Sequence, residues 1–265
     1  MLVWSRGGRA LAWLAGGLLF AVVYGAPIVV IALGSIAGHW NGVLPSDFTL
    51  RHFGEALSGD SSSELRVSII TGFVASLVAI VLGTWAALAL RAMRTALRRI
   101  LDLAFFIPSA VPSVSVGLGL LVAFSQRPLL LNGTIWIVLI AHLVLVSAFA
   151  YGSVSAGLVR LAPEYEQVAE SLGARPFYRL RRVTLPLVLP YLVGAFSLAF
   201  ALSMGELGAT AMVYPPGWVT MPVGIFALTD RGDVFNGAAL TMVLVAVTLV
   251  VLVGLSRISN RAAAP

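Results

Sequence analysis

The sequence contains no cysteine and no lysine, and charged residues make up only 11% of its 265 residues. Without cysteine there can be no disulfides, no thiolate metal sites and no cysteine nucleophile. Without lysine there is no Walker A motif, whose Gly-Lys-Ser/Thr core holds nucleotide phosphates. We therefore expect that the chain is not an enzyme and that any associated nucleotide hydrolysis occurs on a different polypeptide.

The scarcity of charge is matched by an abundance of apolar residues, which make up 59% of the sequence. So few polar groups cannot coat a water-soluble globule of this length, and the composition predicts an all-α polytopic membrane protein. The 17 basic residues are all arginine and contribute to a net charge of +6. Because they lie in short segments between apolar runs, membrane topology explains them better than nucleic-acid binding does.

The apolar runs predict six transmembrane helices in a single domain over residues 1–265. Each run is long enough to cross a hydrocarbon core of about 30 Å. The first run is longer than the roughly 7–15 apolar residues of a cleaved signal peptide, which favours a retained helix over that alternative. The predicted spans are residues 10–37, 67–90, 100–124, 135–158, 187–213 and 237–256.

The arginines are divided unequally between the two sides of this topology. Thirteen of the 17 lie on the side of the two termini and of the loop at residues 159–186, and the four on the other side are Arg51, Arg66, Arg127 and Arg231. Short cytoplasmic loops carry an excess of basic residues. We therefore expect a multi-pass membrane protein with both termini and this loop in the cytoplasm.

The loop at residues 159–186 is the longest charged segment between apolar runs on that side. Pro163 suits the first turn of a helix, where its missing N–H leaves no partner unsatisfied, and the glutamates that follow favour the positive end of the helix dipole. Gly173 is a typical helix stop. Pro176 predicts a second short helix, after which Leu185-Pro186 is expected to turn the chain back into the membrane.

The spacing within this loop resembles the EAA loop of the membrane subunits of binding-protein-dependent ABC importers. The family pattern is Glu-Ala-Ala-x3-Gly-x9-Ile-x-Leu-Pro. Residues 167–169 here read Gln-Val-Ala, Gly173 keeps its place, and residues 183–186 read Val-Thr-Leu-Pro. Glu166 stands one place before the position of the family's glutamate. With its flanking helices the resemblance covers about residues 64–258.

The resemblance implies a type I ABC importer permease fold, a location in the bacterial plasma (inner) membrane and a set of partners. These are ABC ATPase subunits, expected as a homodimer, a second permease subunit that is identical or homologous, a solute-binding protein and the lipid bilayer. It implies no cofactor, no metal, no catalytic residue and no nucleic acid. The residues that it implies for coupling to the ATPase are Glu166, Gln167, Ala169, Gly173 and Arg179.

One carboxylate, Glu206, lies deep within the predicted fifth span. A mid-membrane acid costs about 2.5–3.5 kcal/mol on translocon scales, so it usually faces the bundle interior. A structural tie to neighbouring helices and a place on the translocation path both remain open, and Gly205 and Gly208 permit close approach of another helix. The segment resembles the Ser-x-Gly-Glu-Phe-Gly stretch of permeases for sulfate, molybdate, thiamine and phosphonates. The candidate path residues are Ser203, Gly205 and Glu206.

Two other spans contain residues that are unusual in a membrane helix. His142 is alone among apolar residues of the fourth span, which favours a hydrogen-bonded packing residue over a metal or haem ligand. Pro108 and Pro112 predict a kinked third span, because proline frees backbone carbonyls that neighbouring helices or water must satisfy. That helix either lines a path or packs without touching the solute.

The predicted outer loop at residues 214–236 begins with Tyr-Pro-Pro-Gly-Trp. Its prolines stiffen the backbone, and Trp218 suits an interfacial anchor in an aromatic belt. Docking of a binding protein on Tyr214 and Trp218 is the alternative. This loop most resembles that of permeases for 2-aminoethylphosphonate uptake.

The leading hypothesis is therefore the permease subunit of an ATP-driven ABC importer for a small solute such as 2-aminoethylphosphonate, delivered by a periplasmic or extracellular binding protein. Permeases for sulfate, molybdate, thiamine or ferric iron are alternatives within the same class. An ion-coupled secondary transporter is the alternative from another class. It would need coupling carboxylates, commonly within repeated halves, and the sequence offers one deep acid and no visible repeat.

Overall fold

The computed structural model describes residues 5–263, and its regular elements are helical apart from an isolated bridge between His39 and Ser46. Within these residues five helices are long and apolar enough to cross a membrane, and a bent pair makes a sixth crossing. The all-α, six-span prediction is confirmed. The crossings are Gly7–Ser35, Gly59–Arg91, the pair Ala96–Ala110 and Ser113–Ala123, Ile135–Arg160, Pro176–Met204 and Val234–Arg257.

The α-helices are numbered in chain order, and two turns of π-helix, Ala21–Gly25 and Leu180–Thr184, join consecutive members. The α-helices are α1 Arg6–Phe20, α2 Ala26–Ser35, α3 Arg51–Ala56, α4 Gly59–Arg91, α5 Thr95–Ala110, α6 Ser113–Ala123, α7 Ile135–Arg160, α8 Pro163–Ser171, α9 Pro176–Arg179, α10 Leu185–Met204, α11 Gly208–Val213, α12 Met221–Asp230 and α13 Val234–Ala263.

The second π-helical turn carries the fifth crossing past Pro186 without interruption. Proline has no N–H to donate, and the Leu185 N–H donates to the Leu180 carbonyl, five residues back. The helix widens there instead of ending. The prediction that the chain turns at Leu185-Pro186 is therefore wrong, because the helical segment that contains the fifth crossing runs without interruption from Pro176. At 29 residues this segment is longer than the roughly 20 residues that cross a hydrocarbon core, so its first turns, which carry Phe177 and Tyr178, extend outside the membrane.

The third crossing is sharply bent, as its prolines predict. α5 and α6 meet at an angle of 101°. Val111, which precedes Pro112, has an extended backbone with φ −95° and ψ 134°. A residue before proline is disfavoured in the helical region, so the bend falls at this position.

The fifth crossing also ends earlier than the predicted residue 213. α10 stops at Met204, residues 205–207 are not helical, and the chain resumes as the short helix α11. We call residues 205–207 the helix break. Farther along, the predicted outer loop contains the helix α12.

The chain folds as two compact units. One unit runs up to Ser62 and includes Ile225–Val245. His52 is buried in it, and its ring nitrogens lie 2.7 Å from Asn236 Oδ1 and 3.1 Å from the Ala37 carbonyl oxygen. These hydrogen bonds join α3 to the chain that follows α2 and to the start of α13.

The other unit comprises Ser63–Gly224 and the chain from Ala246. Small residues let its helices approach closely: a Cβ at Gly83 of α4 would lie 3.0 Å from the Tyr151 backbone nitrogen of α7. Such close packing is typical of membrane helices, whose association depends on van der Waals contact. Small buried residues in the core of this unit include Ala79, Ala87, Ala150, Ala195 and Ala199. The prediction of a single domain over residues 1–265 stays a prediction.

Candidate functional site

The charged loop folds locally as its sequence predicts. Pro163 occupies the first turn of α8, and the helix ends at Ser171. Gly173 has φ +82°, a left-handed conformation that glycine adopts without a steric penalty. The Ala174 N–H donates to the Ala169 carbonyl across this turn at 3.0 Å. The predicted helix start and glycine stop are confirmed.

Glu166 faces the body of the protein. Its carboxylate forms an ion pair with Arg91 at the end of α4, with 2.9 Å between Arg91 Nη2 and Glu166 Oε2. The Thr184 hydroxyl donates to Glu166 Oε1 at 2.7 Å from the π-helical turn before α10. Burial raises the pKa of Glu166, but hydrogen bonds from Thr184 and Arg91 and the charges of Arg91 and Arg179 lower it further than burial raises it. This carboxylate therefore ties α8 to two membrane-crossing helices.

The other predicted coupling residues divide between internal and exposed positions. Arg179 Nη1 lies 2.7 Å from Glu170 Oε2, an ion pair that spans the Gly173 turn and joins α9 to α8. Ala169 is half-buried, and Gln167 is exposed. Of the residues that the sequence singles out, Gln167 therefore offers its side chain most freely to a partner.

The loop also carries exposed apolar side chains that the sequence analysis did not single out. Residues 165 and 168 are three positions apart on one face of α8, and residue 172, four positions farther, follows directly after the last turn of this helix. Leu172 is 83% exposed although it lies outside the membrane-crossing segments. We call this set the apolar patch. Its members are Tyr165, Val168, Leu172, Phe177 and Tyr178.

Glu206 lies in the helix break and not within a continuous helix, contrary to the sequence prediction. Its Oε1 accepts a hydrogen bond from the Ala209 N–H at 2.7 Å, which satisfies a backbone donor at the start of α11. The bond is local and does not tie the segment to a neighbouring helix. A Cβ at Gly208 would collide with Ser113 and Val114, whereas one at Gly205 would have ordinary contacts. Of these two glycines, Gly208 is the one that permits close approach of another helix.

His142, in the first third of α7, bridges the two sides of the helix break. Its Nδ1 lies 2.6 Å from Ser203 Oγ, before the break, and its Nε2 lies 2.8 Å from Thr210 Oγ1, after it. The histidine and both hydroxyl residues are buried. His142 is thus the hydrogen-bonded packing residue that the sequence predicts. Among residues 5–263 no group of three or more His, Cys, Asp or Glu side chains could hold a metal ion.

A cavity of about 200 Å³ opens beside the helix break. Glu206 and Ser203 both line it, so two of the three predicted path residues share one cavity, and Gly205 is not among its lining residues. Phe149 and Leu202 contribute apolar walls. The bend between α5 and α6 supplies Pro108, Ser109, Val111 and Ser113 to the same cavity.

Tyr214 and Trp218, the predicted contacts for a binding protein, differ in exposure. Tyr214 is exposed, whereas Trp218 is half-buried and packs against the cluster that includes Ile137 and Val138. The Trp218 indole N–H donates to Thr71 Oγ1 of α4 at 3.0 Å. The indole N–H of Trp218 is thus used within the protein, and both interpretations of Trp218, an anchor in an aromatic belt and a contact for a binding protein, stay predictions.

The fold and the loop define a class of transport protein. The sequence profile of the family described as "Binding-protein-dependent transport system inner membrane component" matches residues 79–264. The chain therefore belongs to this family, the multi-pass permease subunits of ABC importers. Family membership supersedes the alternative of an ion-coupled secondary transporter.

Curated relatives cover nearly the whole chain. Proteins of Salmonella typhimurium and Salmonella paratyphi A, which carry the provisional name 2-aminoethylphosphonate transport system permease protein PhnV, are each 56% identical over 261 residues, 98% of this chain and 98% of theirs. The putrescine transport system permease protein PotI of Escherichia coli is 29% identical over 80% of this chain and 78% of its own.

Solved structures share the fold at low sequence identity. A chain of the bacterial alginate ABC transporter, in complex with its pentasaccharide-bound periplasmic protein, is similar with a TM-score of 0.77 and 16% identity, over 97% of this chain and 95% of that one. A chain of an inward-facing MetNI methionine ABC transporter is similar with a TM-score of 0.63 and 18% identity, over 76% of this chain and 95% of that one.

Proposed function

We propose that this chain works as a force-transmitting permease whose ATP hydrolysis takes place on separate ABC ATPase subunits. Two permease subunits, identical or homologous, enclose the path, and a solute-binding protein delivers the solute to the outer face. The loop at residues 159–186 docks into an ATPase subunit. Movement of the ATPases then reorients the membrane helices.

The observation that carries this proposal is the apolar patch on α8 and α9. Exposed apolar side chains outside the membrane are typical of a surface that binds another protein. The ion pair of Glu166 with Arg91 connects α8 to a membrane-crossing helix, and the ion pair of Arg179 with Glu170 connects α9 to α8. A partner that binds the patch therefore binds a segment that is fixed to the membrane helices. Glu166 and Arg179 act in this proposal by positioning the loop, while Gln167 and the patch contact the ATPase.

The arginine distribution supports a cytoplasmic location for the patch. Arg175 and Arg182 lie in the same loop and are exposed. Clustering of basic residues in a short loop is typical of the cytoplasmic side. The two termini are proposed to lie on that side as well, although their ends, residues 1–4 and 264–265, are outside the described residues.

The proposed solute is 2-aminoethylphosphonate. Relatives that are 56% identical over nearly the full chain carry its name, whereas the relative named for putrescine is 29% identical. The motif in the outer loop points to the same group of permeases. Tyr214, which is exposed, is proposed to contact the binding protein.

Reconstitution in proteoliposomes tests this proposal. We expect ATP-dependent uptake of labelled 2-aminoethylphosphonate when the permease is combined with its ATPase and its loaded binding protein. The control is the permease alone under a proton or sodium gradient, which should give no uptake. Uptake by the permease alone would contradict the proposed division of labour, and ATP-dependent uptake of another solute only would contradict the proposed solute.

A further inference from the structure

The cavity beside the helix break presents a carboxylate that its protein neighbours use only in part. Glu206 Oε1 accepts the Ala209 N–H, and residues 5–263 provide no other hydrogen bond or ion pair to this side chain. Glu206 is also one of the residues that line the cavity. One oxygen of the carboxylate is therefore available to a ligand.

Among the residues that the structure describes, the walls of the cavity contain no positive partner for this acid. The described lining comprises serine hydroxyls, His142 and apolar side chains, and Glu206 is its one acidic or basic residue besides histidine. Both ring nitrogens of His142 are already bonded to Ser203 and Thr210, so the imidazole does not reach out to Glu206. A carboxylate in a largely apolar cavity is costly without a counter-charge, and an ammonium group on a ligand would supply one.

His142 gives the acid a fixed position. Because it bonds to Ser203 on one side of the helix break and to Thr210 on the other, the backbone of residues 205–207 is held at both ends. Glu206 is held in addition by its bond to Ala209. A binding group that is held in this way loses little conformational entropy when a ligand arrives.

We propose that this cavity is a solute site within the permease and that Glu206 binds the primary ammonium group of the transported solute. The inference rests on the proposed function, since 2-aminoethylphosphonate carries an ammonium group at one end of a two-carbon chain. Apolar walls from Leu145, Phe149 and Leu202 suit the methylene groups. A volume of about 200 Å³ suits a solute smaller than a drug molecule. Glu206 is thus the residue that selects for the amine.

The variant Glu206→Gln separates this role from a structural one. The glutamine carbonyl can still accept the Ala209 N–H, so the helix break is preserved while the charge is removed. The assay is uptake by the complete complex in proteoliposomes, with 2-aminoethylphosphonate or 2-hydroxyethylphosphonate supplied at concentrations that load the binding protein equally. Asp230→Asn, which removes an exposed carboxylate at the end of α12, is the matched control.

We expect Glu206→Gln to lower uptake of the amine by about tenfold or more, because a hydrogen bond between charged groups is lost. Uptake of the hydroxyl analogue should change little, and Asp230→Asn should behave as wild type with both solutes. An equal loss of both solutes, or no loss of either, would overturn the inference and leave the proposed function standing. A wild-type complex that transports neither solute would overturn both.

Discussion

Arg91 and Glu166, which are 75 positions apart in the sequence, form an ion pair with 2.9 Å between Arg91 Nη2 and Glu166 Oε2. Arg91 is the last residue of α4, and Glu166 lies in the first turn of α8. The pair joins the loop at residues 159–186 to the second crossing, in addition to its covalent connections to the fourth and fifth. A displacement of α8 by a bound ATPase would therefore act on three crossings at once.

Removing the cation of this pair should uncouple transport from ATP hydrolysis. In Arg91→Met the half-buried Glu166 loses its counter-charge, at a cost of about 1–3 kcal/mol, between the values for exposed and buried pairs. We expect solute transported per ATP to fall roughly fivefold or more in proteoliposomes. Arg94→Met removes an exposed arginine nearby and should leave the ratio unchanged. Equal ratios in the two variants would show that the ion pair does not transmit movement.

The same pair predicts a specific dependence on pH. The pKa of Glu166 lies below its ordinary value of 4.5, so the ion pair contributes stability above that value and loses it as pH falls through the lower pKa of the folded state. The difference in Tm between wild type and Arg91→Met should therefore be the same at about pH 7.5 and pH 5.5. A difference that vanishes at pH 5.5 would mean that another group, titrating at higher pH, holds the loop.

Gly173 should tolerate substitution in an order set by its backbone. Its φ of +82° favours glycine, is accessible to asparagine, and cannot be adopted by proline. We expect Gly173→Asn to keep most of the coupling between ATP hydrolysis and transport, Gly173→Ala to lose part at a cost of about 1–2 kcal/mol, and Gly173→Pro to lose it. Measurement of solute transported per ATP for the three variants checks this order. Full coupling in the proline variant would contradict a role for the turn.

His142 should contribute to stability through two hydrogen bonds. His142→Ala leaves the Ser203 and Thr210 hydroxyls buried without this partner, at about 1–3 kcal/mol for each unsatisfied group. We expect Tm of the detergent-solubilised protein to fall by several degrees. His142→Gln, whose amide can donate and accept, should recover part of the loss. His39→Gln changes an exposed histidine and serves as the control. An unchanged Tm in His142→Ala would contradict the bridge across the helix break.

The sequence predicts well those features that depend on neighbouring residues. Pro163, Gly173 and Pro112 act through their own backbones, so a helix start, a helix stop and a bend follow from residue type and position. Six apolar runs of sufficient length similarly predict six crossings.

The features that were not predicted depend on tertiary contacts or on local changes of helix geometry. Pro186 by itself indicates a helix boundary, but the π-helical turn before it accommodates the proline within a continuous helix. Residues 205–207 are flanked by apolar residues on both sides, so the hydropathy pattern alone predicts one continuous helix across the helix break. The partners of Trp218 and Glu166 lie 147 and 75 positions away, beyond the reach of local patterns. The three- and four-residue spacing of residues 165, 168 and 172 was the sequence signal that indicates the apolar patch. The charged residues between them make that pattern hard to recognise.

Association with the ATPase tests the central claim most directly. Leu172, at 83% exposure, is the most exposed member of the apolar patch, and Leu172→Glu places a charge on the proposed docking surface. Val43→Glu changes a residue that is 94% exposed outside the patch and serves as the matched control. We expect Leu172→Glu to abolish co-purification of the ATPase without lowering Tm of the permease, and Val43→Glu to keep the complex intact. A Leu172→Glu permease that retains its ATPase as wild type does would contradict docking through this patch.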